Sequence, residues 1–158
     1  LEFIFKTYGE IRNARLVARK IIEARESNSI ETTTQLIDIV KLLTIRKKEN
    51  QFLAQVFQAI RIEVNQELEV LKQFLVGAQE VLKPGGRLVV ISYHSLEDRL
   101  VKNFIKKGKF EGEIEKDFYG NPLVDMKDIS RKAIVADAEE LKLNSRARSA
   151  KMRIAEKL

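Results

Sequence analysis

Residues 82–107, LKPGGRLVVISYHSLEDRLVKNFIKK, decide the fold. Pro84 cannot continue a helix, and Gly85 and Gly86 can take positive φ, so the chain reverses there. Leu88, Val89, Val90 and Ile91 follow without polar alternation, which predicts a strand buried on both faces of a parallel sheet. A second helix then starts from a polar elbow. Ser95 and Asp98 have the S-x-x-D spacing of a capping box, Leu96, Leu100, Phe104 and Ile105 form a buried stripe, and Gly108 ends the helix. Helix, turn, strand and helix in this order predict an α/β architecture. Ligands in open α/β sheets bind beyond the carboxyl ends of the strands, where Ser92, Tyr93, His94 and Ser95 stand.

Upstream, the apolar spacing predicts helices throughout. Leu1, Ile4, Phe5 and Tyr8 mark a short one ending at Gly9, and Ile11, Ala14, Ala18, Ile21 and Ile22 mark a second, basic one. Thr32 or Thr33 caps a third. A long helical stretch covers Gln51 to Leu82, with Asn65 as a point of kinking or re-capping. Downstream, Lys109 to Asp128 is rich in turn signals and reads as an irregular excursion. Lys132–Ala136 (KAIVA) and Ala150–Ala155 (AKMRIA) read as an antiparallel strand pair closing the sheet.

The composition narrows the class. The 158 residues are 44% hydrophobic, enough for a real core that buries roughly 70% of the unfolded surface. A formal charge of +6 favours polyanionic partners. With no cysteine and a single histidine, neither a disulfide framework nor a protein-built zinc site is indicated, so no metal is expected. No apolar run approaches the roughly 20 residues that span a bilayer, so the reading is a cytoplasmic protein without membrane partners. The opening LEFIFKTY, lacking an initiator methionine, reads as the interior of a longer gene product.

Several polar residues carry two readings each. His94 is either a satisfied structural histidine or a proton acceptor, and Ser95 and Asp98 either cap the helix or take part in chemistry. Arg99 is either a solvated helix charge or a phosphate contact. Arg146, Arg148, Lys151 and Arg153 crowd cations into a short segment, and Arg12, Arg15 and Arg19 form a second cluster; solvated faces and RNA phosphate contacts both explain such runs.

Three segments, FQAIRIEVNQELEVLKQFL (57–75), LKPGGRLVVISYHSLEDRLVKNF (82–104) and NSRARSAKMRIAEK (144–157), together resemble the bacterial rRNA small-subunit methyltransferase H family, also called MraW. YGEIRNARLVARKIIEAR (8–25) is similar to that family's inserted helical domain. The resemblance implies the carboxyl-terminal part of a class I S-adenosylmethionine methyltransferase with a Rossmann-like sheet and an all-helical insertion. It places a partial insertion at residues 1–50 and the methyltransferase half at 51–158. It implies N4-methylation of a cytosine in the 16S rRNA decoding region, with S-adenosyl-L-methionine as cofactor and 16S rRNA or the small ribosomal subunit as partner.

On this resemblance Ser92, His94, Ser95 and Asp98 are the candidate catalytic residues. Arg99, Arg146, Arg148, Lys151, Arg153, Arg12 and Arg15 are the candidate RNA contacts. The family's glycine-rich cofactor loop has no counterpart upstream of Gly85, so no cofactor-binding residue carries over, and the 158 residues alone are expected to be inactive. The alternative is a noncatalytic RNA-binding or structural module. An apolar strand without its neighbour also exposes a backbone edge, which predicts self-association.

Overall fold

The computed structural model describes residues 1–158. Two compact units divide the chain, Leu1–Glu67 and Leu68–Leu158.

The first unit is helical: α1 (Glu2–Thr7), α2 (Ala14–Ser27), α3 (Thr33–Val40) and α4 (Glu49–Asn65), with short 3-10 turns between α3 and α4. Phe5, Ile11, Ala14, Val17, Ala18 and Ile21 pack with Val40, Phe52, Val56 and Ala59 into one core. The spacing of Ala14, Val17, Ala18 and Ile21 turns one stripe of α2 inward, which leaves Arg12, Arg15 and Arg19 outside. Gly9 is demanded by a close approach, since a Cβ there would lie 2.8 Å from the Phe5 carbonyl and 2.9 Å from that of Gln55. Thr32 caps α3 in a complete capping box with Gln35. Because Phe52, Val56 and Ala59 fill this core, the unit runs past residue 50, where the sequence put a domain boundary.

The long helical stretch breaks where Asn65 suggested. Gln66 takes a left-handed φ of 51° and closes α4, and α5 (Glu67–Val81) begins beside it. Arg61 and Asn65 both donate to Glu67, so they serve the helix junction.

In the second unit the elements are α5, β1 (Arg87–Ser92), α6 (Ser95–Lys107), β2 (Met126–Asp128), α7 (Ala138–Leu143) and β3 (Lys151–Lys157). The three strands form a sheet of order β1-β3-β2, antiparallel throughout, with Leu88 opposite Ala155 and Val90 opposite Arg153. Leu75 of α5 and Val101, Phe104 and Ile105 of α6 pack with Leu88, Val90, Met126 and Ala155. The proline-glycine turn pins the start of β1 to the end of β3. Gly85, at φ 80°, donates to the Lys157 carbonyl, and the Lys157 amide donates to that of Gly86, both at 2.8 Å.

Three expectations change here. β1 is not buried on both faces: Leu88, Val90 and Ser92 point inward, while Val89 and Ile91 are more than half exposed. The observed partner is antiparallel, and the core covers only the inward face. The KAIVA segment is not a strand. Ile134 makes a single bridge to Met152, after which the chain leaves the sheet with Ile134 and Val135 exposed. The third strand comes instead from the end of the supposedly irregular excursion, where Met126 is buried and pairs opposite Lys157. No helix is long and apolar enough to cross a membrane.

Candidate functional site

At the carboxyl end of β1 the chain turns into α6 within two residues, and the side chains of Ser92, His94, Glu97 and Asp98 hold that elbow together. Ser92 is buried, and its hydroxyl donates to the Lys151 carbonyl at 3.4 Å. The cap of α6 is His94, not Ser95. His94 has extended backbone, its Nδ1 accepts from the Glu97 amide at 3.4 Å, and the Glu97 carboxylate accepts from the Tyr93 and His94 amides at 2.9 and 3.3 Å. The capping box therefore reads H-x-x-E, one residue earlier than the S-x-x-D expected. Ser95 is the exposed first residue of the helix.

The register shifts because Asp98 has a stronger partner elsewhere. Its carboxylate takes a bidentate hydrogen bond from Arg153 of β3, at 2.7 Å to Nε and 3.2 Å to Nη2, and Lys151 Nζ lies 3.6 Å away. Arg153 is 8% exposed. A fork-to-fork pair of this kind is strong and directional, and it bolts the first turn of α6 to the sheet. Burial raises the Asp98 pKa, but Arg153 and then Lys151 outweigh it, and the net shift is downward. Burial also raises that of Glu97, yet the His94 ring and the Tyr93 and His94 amides bring it down to about 2.

These contacts limit what His94 can do. With Nδ1 accepting an amide, the neutral ring carries its proton on Nε2. That Nε2 lies 3.3 Å from Glu97 Oε1 without hydrogen-bond geometry and is buried with no hydrogen-bond partner. Neither nitrogen offers a spare lone pair while the cap is intact.

The candidate RNA contacts split in the same way. Arg153 faces Asp98 from inside the fold and its burial turns it away from phosphate contact, whereas Lys151 approaches the same carboxylate from the surface with its side chain 43% exposed. Arg146 and Arg148 are exposed on the 3-10 turn Ser145–Ser149, where buried Ala147 between them anchors the turn. Arg99 is exposed on α6. In the helical unit Arg12 and Arg15 are exposed, and Arg12 lines a polar cleft of about 350 Å³ with Asn13, Thr44, Lys48 and Gln51. Sequence reasoning missed Glu97 as the box partner and Arg153 as the tether; H-x-x-E stands one residue before S-x-x-D, and Arg153 lies between two apolar strand residues.

A family model described as the MraW methylase family matches residues 1–158. The chain belongs to the MraW methylase family. Its relatives include proteins named ribosomal RNA small subunit methyltransferase H: one from Flavobacterium johnsoniae, 59% identical across all of this chain and 52% of the relative. One from Christiangramia forsetii is 56% identical over the same shares, and one from Bacteroides thetaiotaomicron is 54% identical over 98% of this chain and 51% of its own length. The chain thus spans about half the length of the curated relatives it matches.

Proposed function

We propose that this chain forms part of an S-adenosylmethionine-dependent enzyme that methylates N4 of a cytosine in the 16S rRNA decoding region. The observation that carries this reading is the 59% identity, over the whole chain, to a protein named ribosomal RNA small subunit methyltransferase H. The exposed cations Arg12, Arg15, Arg146 and Arg148 support it, because an rRNA substrate is held largely through its phosphates.

The elbow residues do not fit as a cofactor holder. Ser92, His94, Glu97 and Asp98 are engaged with backbone, with one another or with Arg153, so no cofactor contact is assigned to this chain and no step is routed through one. The cofactor supplies an electrophilic methyl group. What these residues supply is a rigid wall for the target base. The exocyclic amine of cytosine is a weak nucleophile, so the base must be extruded and its amine oriented by fixed acceptors. In this reading Ser92, His94 and Asp98 are positioning residues, and contact with the base falls to the exposed surface of Tyr93 and Ser95.

Deleting the gene from its host and measuring N4-methylcytidine in 16S rRNA by nucleoside mass spectrometry tests the reading. Loss of the modified nucleoside is expected, and its retention would overturn it. The role of His94 is tested in the same assay, with variants introduced into the chromosomal gene. His94→Asn keeps a side-chain acceptor for the cap and is expected to retain methylation that His94→Ala reduces, whereas a proton-accepting His94 would make both variants equally inactive.

A further inference from the structure

Phe118 and Tyr119 are the most exposed aromatic residues of the chain, at 97% and 86%, yet they sit on a tightly built turn. The segment Glu115–Leu123 is a small hairpin: Leu123 donates to the Glu115 carbonyl at 2.8 Å, Lys116 bridges Pro122, and Asp117 donates to the Asn121 carbonyl at 2.9 Å. At the tip the Asp117 carboxylate accepts from the Tyr119 amide, the Asn121 amide and the Asn121 side chain, at 2.9, 2.8 and 2.9 Å. Gly120 closes the turn at φ 86°. The two rings stand edge to face, with centroids 5.7 Å apart and planes 86° apart. A rigid turn that holds two large rings in water has already met the ordering cost that a ligand would otherwise impose.

We propose that this hairpin tip is a base-stacking platform for unpaired nucleotides of RNA, an inference that rests on RNA being the substrate. Three features select this occupant. The residues flanking the rings, Lys116, Asp117, Gly120 and Asn121, are polar or bare backbone, while exposed Pro122 and Leu123 pair back along the hairpin arm, so the apolar surface at the tip is the two rings rather than a broad patch of the kind a protein pocket covers. The Asp117 carboxylate is satisfied within the turn and stands next to exposed Lys116, so the two opposite charges leave the tip close to neutral, as suits a surface that works through its rings. Sequence-tolerant stacking of splayed bases on Phe and Tyr is the usual way proteins hold single-stranded RNA. Glu111, Glu113 and Glu115 lie at the foot of the hairpin, so the tip works by stacking rather than by phosphate attraction, and its contribution is insensitive to salt.

The test uses this 158-residue chain and a single-stranded oligonucleotide of the decoding-region sequence carrying 2-aminopurine, titrated across a salt series. The wild-type chain is expected to quench the probe. Phe118→Leu with Tyr119→Leu, which keeps apolar bulk but removes both π-faces, is expected to weaken binding about five-fold or more at every salt concentration without changing the salt slope. Equal affinity of the double variant and the wild type would overturn the inference while leaving RNA as the substrate. If the variant bound the oligonucleotide as tightly as the wild type but no longer associated with intact small subunits, the rings would be assigned to a protein surface instead. A wild-type chain that bound no RNA would overturn both the inference and the reading beneath it.

Discussion

The helical unit and the sheet unit solve the burial problem differently. The first closes its core with four helices and turns its arginines outward, and its tight points are steric, as at Gly9. The second covers one face of a three-stranded sheet and leaves Val89 and Ile91 exposed on an edge strand. Its tight point is electrostatic, the Asp98–Arg153 pair beneath the elbow. Each unit is vulnerable at its tight point, the helical one to added volume and the sheet one to a missing charge.

The largest effect is expected from separating that pair. Asp98→Ala leaves Arg153 buried and unpaired and should destabilise the sheet unit by about 3–5 kcal/mol, measured by chemical denaturation. The helical unit should keep its own transition; a loss shared equally by both would dissolve the contrast. Next, Gly9→Ala forces a Cβ against two carbonyl oxygens and should cost the helical unit about 1–3 kcal/mol, with the elbow unaffected. His94→Ala removes the α6 cap for about 1 kcal/mol, and His94→Asn should restore most of it.

Acid acts on the sheet unit through the elbow as well. The Glu97 pKa is depressed to about 2, so its contribution is present above the unfolded carboxylate value of about 4 and is lost as pH falls toward 2. Glu97→Gln should flatten this loss in the sheet unit, as read by circular dichroism between those pH values. Lastly, we propose that the open β1 edge pairs with a second copy. Ile91→Lys is expected to shift sedimentation toward monomer, and a wild-type chain that is monomeric at high concentration would contradict this.

Much of this organisation was legible in the residues. The spacing of Ile11, Ala14, Ala18 and Ile21 marks the buried side of α2, although Val17 completes that side in place of Ile22, which is exposed; of the two threonines read as the start of α3, Thr32 is the cap, with Gln35 as its box partner. The turn at Gly85 and the helix end at Gly108 follow from backbone freedom, both at positive φ, whereas Gly86 is demanded by a close approach, a Cβ there lying 2.8 Å from the Lys83 carbonyl. What was not legible depended on partners distant in sequence. Asp98 looked like a cap until Arg153, 55 residues later, took its carboxylate and passed the cap to His94. KAIVA had strand composition, but Met126–Asp128 occupied the edge of β3 beside it. Arg153 looked like one of four alike cations, and only the strand's alternation, pointing it inward, separated it from Arg146 and Arg148.

In the proposed function RNA is held by the exposed cations, while buried Arg153 only builds the elbow. Equilibrium binding of decoding-region RNA across a salt series tests it most directly. Arg146→Ala with Arg148→Ala should reduce the log–log salt slope by about 2, one for each phosphate no longer neutralised. Arg153→Met with Asp98→Leu, which replaces the whole buried pair by apolar side chains and leaves no unpaired charge, should leave the slope unchanged. A slope that drops when the buried pair is replaced but not when Arg146 and Arg148 are removed would contradict this division of roles.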